Sequence, residues 1–185
     1  AIAPNNERLI VHASNFRPVK RISDVLKIFN KIADKIPSKL LLIGDGPERS
    51  RVEKECREIC NGEHVLFLGK IDVVEEILSI CDLFVLPSET ESFGLAALEA
   101  MACQVPVIST NTGGLPEVNV NGLTGYMSDV GDIDDMAKNG IHILEDDTRL
   151  LQFKKNALEH AKTFDIQRIL PLYQALYEKV LAEQK

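Results

Sequence analysis

Short apolar runs alternate with segments of helical periodicity along almost the whole chain. The apolar runs are unbroken rather than alternating, which is typical of strands buried on both faces of a sheet. Between the runs, hydrophobic residues recur every three or four positions, as they do on one face of a helix. The predicted strands are 9–13, 40–43, 65–68, 83–86 and 105–108, with a short sixth strand at 125–127. The predicted helices are 20–35, 48–60, 74–81, 94–102, 133–144, 148–163 and 165–182.

This alternation predicts an α/β fold with a Rossmann-like, doubly wound parallel sheet and extra helices at the carboxyl end. Right-handed crossovers between parallel strands place helices on both faces of such a sheet. Ligands of these sheets bind at the carboxyl ends of the strands. Chemistry is therefore expected in the segments that follow the strands, which are 14–20, 44–48, 69–72, 87–95 and 109–117.

Composition and charge narrow the class of protein. The chain has 185 residues, of which 45% are hydrophobic, and its net charge of −7 argues against a general binder of nucleic acid or membrane surfaces. No apolar run approaches the ~20 residues of a membrane span, and the first residues carry no secretory signal pattern. The cysteines, Cys56, Cys60, Cys81 and Cys103, have no metal-ligand spacing and fit small buried hydrophobes in a reducing cytoplasm. The histidines are scattered singly, and packing is expected for each.

The segment after the first strand is basic. Arg17, Lys20 and Arg21 lie within five residues of one another. Cations at the carboxyl edge of a sheet suit an anionic ligand such as a diphosphate. A solvated basic loop that begins a helix is the alternative.

The segment after the second strand contains two glycines, Gly44 and Gly46. They resemble the start of a dinucleotide-binding fingerprint, but Arg49 stands where the third glycine is required, and the motif follows the second strand instead of the first. An NAD site is therefore disfavoured. The glycines permit close approach of backbone, and a plain turn with Pro47 at the first helical position is the alternative.

The segment after the fourth strand begins at Pro87, forms a loop and then leads straight into the helix predicted from residue 94. The free backbone N–H groups of residues 93–96 form an anion-binding helix end, and Gly94 leaves the backbone accessible. Glu91 lies just before the helix, and Glu99 lies ~7 Å further along the axis. Two carboxylates so spaced can accept hydrogen bonds from two sets of sugar hydroxyls, with a phosphate between them. The alternative is that one carboxylate complements the helix dipole and the other is merely exposed.

The stretch from Glu91 to Glu99, together with the segments 105–108 and 112–117, closely resembles the E-x7-E region of the retaining GT-B glycosyltransferases of family 4. The resemblance extends from the first strand to the final helix and is most specific through residues 82–126. It implies that residues 1–185 form one nucleotide-sugar donor-binding domain, the C-terminal half of a two-domain enzyme. Because the acceptor-binding N-terminal half and its catalytic-side histidine are expected elsewhere, this fragment should bind donor without transferring sugar.

The resemblance also implies roles for individual residues. Glu91, Lys20 and Arg17 are the implied catalytic residues: the carboxylate binds donor-sugar hydroxyls, and the cations neutralise the departing diphosphate. Glu99 would hold the ribose, and the base would meet backbone near Lys70 and Ile71. The implied donor-binding set is Asn15, Gly44, Ile71, Ser92, Phe93, Gly94, Leu95 and Glu99.

One position departs from the family pattern. The family usually places an arginine five residues before the lysine, where this chain has Asn15. Either Arg17 substitutes for that arginine or Asn15 makes a neutral contact. The segment 14–21 further resembles the members that act in bacillithiol formation, which implies UDP-N-acetylglucosamine as donor. No metal or cofactor is expected, because cations and a helix end supply the positive charge, and no nucleic-acid partner is expected.

Two alternatives to a transferase stay open. A GT-B-like epimerase or phosphorylase would want added acid and histidine groups or a lysine-bound cofactor. A non-catalytic regulatory domain would bind no donor and would be indifferent to Glu91→Ala and Lys20→Ala.

The final predicted helix carries an apolar stripe that Pro171 interrupts. Proline within a helix predicts a kink. The stripe packs either on a partner domain or on this domain. Its residues are Ile166, Ile169, Leu170, Tyr173, Leu176, Tyr177, Val180 and Leu181.

Overall fold

A computed structural model describes residues 2–60 and 64–183 of the chain. In this part of the chain one parallel sheet of six strands has the order β3-β2-β1-β4-β5-β6. The strands are β1 (Arg8–Ala13), β2 (Ser38–Ile43), β3 (Val65–Gly69), β4 (Leu83–Leu86), β5 (Val107–Thr110) and β6 (Gly125–Ser128). The predicted doubly wound parallel sheet is confirmed.

Helices connect the strands and extend the carboxyl end. They are α1 (Ile22–Ala33), α2 (Arg49–Ile59), α3 (Val74–Leu78), α4 (Leu95–Ala102), α5 (Leu115–Val118), α6 (Ile133–Leu144), α7 (Asp147–Ala161) and α8 (Ile166–Glu183). Short 3-10 turns at Pro18–Lys20 and Lys162–Phe164 precede α1 and follow α7. Among the described residues no helix is long and apolar enough to cross a membrane.

The hydrophobic core has two layers, one on each face of the sheet. Alternate residues of a strand point to opposite faces, so Ile10 of β1 packs with α1 and α6, while Val11 packs with α4 and α7. The central strands are buried on both faces, which explains why their sequences are apolar except at Arg8 and His12.

Several boundaries differ from the sequence expectation. β5 begins at Val107 instead of at position 105, because Pro106 has no N–H for the sheet ladder, although its carbonyl accepts from Phe84 N–H at 2.9 Å. The first helix begins at Ile22, after a 3-10 turn that ends with Arg21 at φ +50°. The helix predicted over 74–81 ends at Leu78, and the short helix α5 was not predicted.

The final helix is confirmed, but its apolar stripe is not packed on this domain. α8 continues through Pro171, and large side chains on it are exposed, including Leu170 at 50% and Tyr177 at 66%. Of the two expectations for the stripe, packing on this domain is therefore wrong.

β1 and β4 are neighbours at the centre of the sheet, and the helices that follow them cover opposite faces. This is the switch point, where the loops after two neighbouring strands diverge and leave a crevice at the carboxyl edge.

Candidate functional site

The switch point brings together two charged residues that are distant in sequence. Lys20 Nζ donates a hydrogen bond to Glu91 Oε1 across a separation of 71 residues. Ser88 Oγ donates to the same carboxylate oxygen at 3.0 Å. The lysine and glutamate side chains are 20% and 12% exposed, so the pair is largely withdrawn from water. The carboxylate and the cation expected to act together are therefore in direct contact.

Backbone contacts fix both loops that carry this pair. Glu89 N–H donates to the carbonyl of Val19 at 2.8 Å, which links the loop after β4 to the loop after β1. Pro18 begins the 3-10 turn, and Lys20 N–H closes it on the carbonyl of Arg17 at 2.9 Å. The proline fixes φ at the value that this first turn needs.

A glycine pair after β5 supports the loop that carries Glu91. Gly113 has φ +58°, and a Cβ built on it would lie 1.8 Å from the carbonyl oxygen of Glu91. Gly114 N–H donates to that same carbonyl at 2.9 Å, and its own Cβ would lie 2.5 Å from Ser92 O. The pair lies in the segment 112–117, which carries the family resemblance, but the sequence alone assigns it no role. Its role is to let two backbones touch behind the glutamate.

The amino end of α4 opens beside the ion pair. Gly94 precedes the helix at φ +93°, a conformation that favours glycine. The backbone N–H groups of residues 93–96 donate to no acceptor in the described part of the chain. Ser92, Phe93 and Leu95 are exposed here, and the Phe93 ring meets Phe164 edge-on at 6.0 Å between centroids. Gly94 is itself buried under the Leu115 side chain, so the expectation that its backbone is accessible is wrong. Unpaired N–H groups at a helix start nevertheless suit an anion.

The polar side chains of the basic loop after β1 differ in their contacts. Arg21 is held by Asp24 through Nε at 2.6 Å, so it is a local structural cation. Arg17 and Asn15 are exposed, and neither side chain has a hydrogen-bond or ion-pair partner among residues 2–60 and 64–183. Both remain available to a ligand, and the assignment of the family arginine's role stays a prediction.

Gly44 has a packing role. Its φ is +118°, its N–H donates to Gly69 O at 2.7 Å, and a Cβ on it would lie 1.8 Å from the carbonyl oxygen of Ser14. It therefore lets the loop after β2 close on the loop after β1. The predicted contact of Gly44 with a donor stays a prediction.

No hydrogen bond or ion pair joins Ile71 or Glu99 to Lys20 or Glu91 in the described part of the chain. Ile71 is half-buried against the core layer of α4, just after β3. Glu99 is exposed and borders a groove of about 320 Å³ between α4 and the end of α7, and its carboxylate has no hydrogen-bond or ion-pair partner within the described ranges. Their predicted contacts with base and ribose stay predictions.

His12 lies beneath the site and was expected only to pack. It is fully buried, and both ring nitrogens are hydrogen-bonded, Nδ1 with Val85 O and Nε2 with Ser14 Oγ, each at 2.8 Å. Burial lowers the pKa of His12 to about 4. A signal was present in the sequence, because a polar residue follows three apolar ones in the same strand.

Other titratable groups offer little chemistry. In the described ranges no cluster of three or more His, Cys, Asp or Glu side chains could hold a metal ion. Burial raises the pKa of the Cys60 and Cys81 thiols to about 12, so both are protonated near neutral pH. A cavity of about 500 Å³ lies between α1 and the start of β2, at the opposite edge of the sheet from Lys20 and Glu91.

Comparison with solved structures places the fold among glycosyltransferases. A sucrose-phosphate synthase from Thermosynechococcus elongatus superposes with a TM-score of 0.87 at 30% identity, over 97% of this chain and 47% of that one. HepE of Anabaena, solved in complex with UDP and glucose, superposes with a TM-score of 0.82 at 23% identity, over 96% of this chain and 49% of that one. The fold is therefore the Rossmann-like domain of the GT-B glycosyltransferases.

Comparison of sequences gives the family. N-acetyl-alpha-D-glucosaminyl L-malate synthase from Bacillus anthracis is 43% identical over 97% of this chain and 48% of that protein. The chain thus spans about half the length of this relative. These comparisons favour neither an epimerase nor a non-catalytic module. The family model for glycosyl transferases group 1 matches residues 2–160, and the chain belongs to that family.

Proposed function

We propose that this chain is the donor-binding domain of a retaining glycosyltransferase and that it binds a UDP-sugar at the switch point. The observation that carries the proposal is the contact between Lys20 and Glu91 beside the open amino end of α4. A cation, a carboxylate and free N–H groups lie together there. These groups are complementary to a diphosphate that is joined to a hydroxyl-rich sugar.

The chemistry follows from charge. When the bond between the anomeric carbon and the diphosphate breaks, negative charge develops on the leaving phosphate. Lys20, Arg17 and the N–H groups of residues 93–96 stabilise that charge, and preorganised donors of this kind contribute several kcal/mol. Glu91 accepts hydrogen bonds from the sugar hydroxyls and so orients the reacting carbon. Because these groups already supply positive charge, we infer that no divalent metal or other cofactor is required.

The nucleoside would occupy the neighbouring loops. Glu99 accepts hydrogen bonds from the ribose hydroxyls, and the base contacts backbone near Ile71. The exposed, unpaired carboxylate of Glu99 supports this assignment. The exposed amide of Asn15 beside Arg17 offers the diphosphate a neutral contact next to a charged one.

For the whole protein we propose transfer of N-acetylglucosamine from UDP-N-acetylglucosamine to L-malate. The support is the 43% identity to N-acetyl-alpha-D-glucosaminyl L-malate synthase. We infer a cytoplasmic location, which the four free cysteines, Cys56, Cys60, Cys81 and Cys103, support.

We further propose that a second domain, in the half of the protein that this chain does not span, holds the acceptor and that this chain alone transfers no sugar. The exposed apolar residues of α8 support a packing partner, since a stripe of this size is costly to leave in water.

Calorimetric titration with UDP, uridine, GDP and NAD tests the donor proposal. We expect UDP to bind best and EDTA to leave its affinity unchanged. Lys20→Ala should weaken UDP binding by about 1.5–3 kcal/mol, the range for a charge-assisted hydrogen bond, with a smaller loss for uridine. Lys54→Ala is the matched control, because Lys54 is exposed on α2.

The outcomes separate the possibilities. Preference for GDP would keep the family and overturn the uridine donor. Equal losses for UDP and uridine in Lys20→Ala would overturn the phosphate role of the lysine. Absence of binding to any nucleotide, in this chain and in the two-domain protein, would overturn the donor-binding proposal and favour a non-catalytic module.

A further inference from the structure

His12 is a polar residue at a position where an apolar one would satisfy the core. It follows three buried apolar residues of β1 and is fully buried itself, with its ring centroid 6.4 Å from those of Phe16 and Phe84. Burying an imidazole is unfavourable unless its nitrogens find partners. Both do, and the two partners lie on different structural elements: Val85 in β4 and Ser14 in the loop after β1.

The donor and the acceptor in each hydrogen bond of His12 can be assigned. The carbonyl of Val85 can only accept, so Nδ1 carries the proton. Burial lowers the pKa of His12 to about 4, so the ring is neutral near pH 7 and Nε2 accepts from the Ser14 hydroxyl. Ser14 Oγ accepts in turn from Phe16 N–H at 3.3 Å. A continuous chain of bonds thus joins the end of β4 to the backbone of Phe16.

The segment that this chain of bonds reaches is conformationally demanding. Phe16 has φ +39° and a fully buried ring, while its neighbours Asn15 and Arg17 are exposed. A bulky residue at positive φ persists only where its surroundings hold it. Glu48 N–H, in the segment after β2, donates to Phe16 O at 3.0 Å, and Ser14 Oγ, which His12 links to Val85 of β4, accepts from Phe16 N–H.

We propose that His12, acting through Ser14, is a positioning residue for recognition of the donor's diphosphate. The bonds fix the backbone that carries Asn15 and Arg17, and they tie that backbone to β4, the strand whose following loop carries Glu91. The inference rests on the proposed function, because it assigns the fixed loop to phosphate binding. Neutral His12 contributes geometry and no charge to a site in which Lys20 already faces Glu91.

Substitution of Ser14 is the mildest test. Ser14→Ala removes the hydroxyl that links His12 to Phe16 and leaves the core unchanged. We expect the dissociation constant for UDP to rise roughly tenfold, the equivalent of one lost hydrogen bond, and that for uridine to change less than twofold. Ser14→Thr keeps a hydroxyl and should restore UDP binding. Ser50→Ala, an exposed serine on α2, is the matched control.

A double-substitution cycle tests whether the two residues act as one unit. His12→Phe keeps an aromatic ring beside Phe84 but removes both hydrogen bonds. The combined variant His12→Phe/Ser14→Ala should bind UDP no more weakly than His12→Phe alone, because the hydroxyl has nothing left to link. Additive losses would overturn the coupling of the two residues.

Amide hydrogen exchange without ligand supplies a second readout. Ser14→Ala should accelerate exchange at residues 14–17 and leave exchange in β4 unchanged. Unchanged exchange together with unchanged UDP affinity would overturn the inference. If neither this chain nor the two-domain protein binds UDP or uridine, the proposed function and the phosphate role of the loop are overturned together, and exchange at residues 14–17 still decides whether His12 and Ser14 position that loop.

Discussion

Glu91→Gln tests whether the glutamate and a bound phosphate compete for Lys20. Lys20 Nζ donates to Glu91 Oε1, so a diphosphate that binds the lysine must displace or share that bond. The substitution is nearly isosteric, and it removes one negative charge while keeping an acceptor for the Ser88 hydroxyl. The reasoning predicts that this variant binds UDP more tightly, although Glu91 is assigned to the site.

The magnitude follows from the geometry of the pair. A carboxylate about 5 Å from a phosphate charge, at an effective dielectric of about 20, repels it by about 3 kcal/mol before screening by salt. Ion pairs at exposed sites contribute about 0.2–1 kcal/mol, and this pair, with side chains 20% and 12% exposed, lies above that range. Salt screens this repulsion, and the substitution also removes the Lys20–Glu91 ion pair. With both taken into account, we expect UDP binding to become more favourable by about 1 kcal/mol, which is a roughly fivefold lower dissociation constant.

Calorimetry with UDP, UDP-N-acetylglucosamine and uridine measures the effect. UDP affinity should rise in Glu91→Gln, the preference for the sugar-bearing donor over UDP should fall, and uridine should be unaffected. Glu89→Gln is the control, because it changes an exposed carboxylate in the same loop that has no ion pair among the described residues. Weaker UDP binding in Glu91→Gln, comparable to the loss in Lys20→Ala, would refute competition for the lysine.

Two further predictions concern stability and are checked by urea unfolding. Gly113→Ala should lower the free energy of unfolding by about 2–4 kcal/mol, because its Cβ would lie 1.8 Å from the carbonyl oxygen of Glu91 at φ +58°. The pKa of His12 is lowered from 6.5 to about 4, so the unfolded state binds a proton that the folded state does not. Stability should therefore fall by roughly 3 kcal/mol as pH decreases from 6.5 to 4.

Each of these predictions has its own control. Gly122→Ala, at φ +76° with open space around it, should cost only the ~1 kcal/mol of a strained backbone. Equal losses for the two glycines would contradict the contact behind Glu91. The pH component should disappear in His12→Phe, and an identical pH slope in the parent and this variant would assign it to other groups.

The sheet was predictable because burial on both faces leaves a simple mark in sequence. β1 and β4 lie between helices of opposite layers, so nearly all of their residues are apolar. Boundaries were less predictable where backbone chemistry overrides hydrophobicity. Val105 is as apolar as a strand residue, yet β5 begins two residues later, because Pro106 offers no N–H.

The site was predictable in its members more than in its contacts. Lys20 and Glu91 were each indicated by their position after a strand. Their direct contact depends on β1 and β4 being neighbours in the sheet, and the sequence does not give the order of the strands. The supporting role of Gly113 depends on a backbone 22 residues away. In the sequence Arg21 is equivalent to Arg17 and Lys20 of the same loop. Only the structure shows that Arg21 is paired with Asp24 and so differs from the cations expected to meet a ligand.

The contact of Lys20 with Glu91 also bears on how a charged crevice stays ready for a ligand. An unpaired charge withdrawn from water is costly, so each group of the pair needs a partner before any ligand arrives. A nucleotide-sugar offers both replacements in one molecule, since its phosphate can take the place of Glu91 at the lysine while its sugar hydroxyls take the place of Lys20 at the carboxylate. UDP alone supplies only the first replacement and leaves Glu91 with the Ser88 hydroxyl. The same contact therefore favours the complete donor over the free nucleotide, which is the direction that release of UDP after transfer requires.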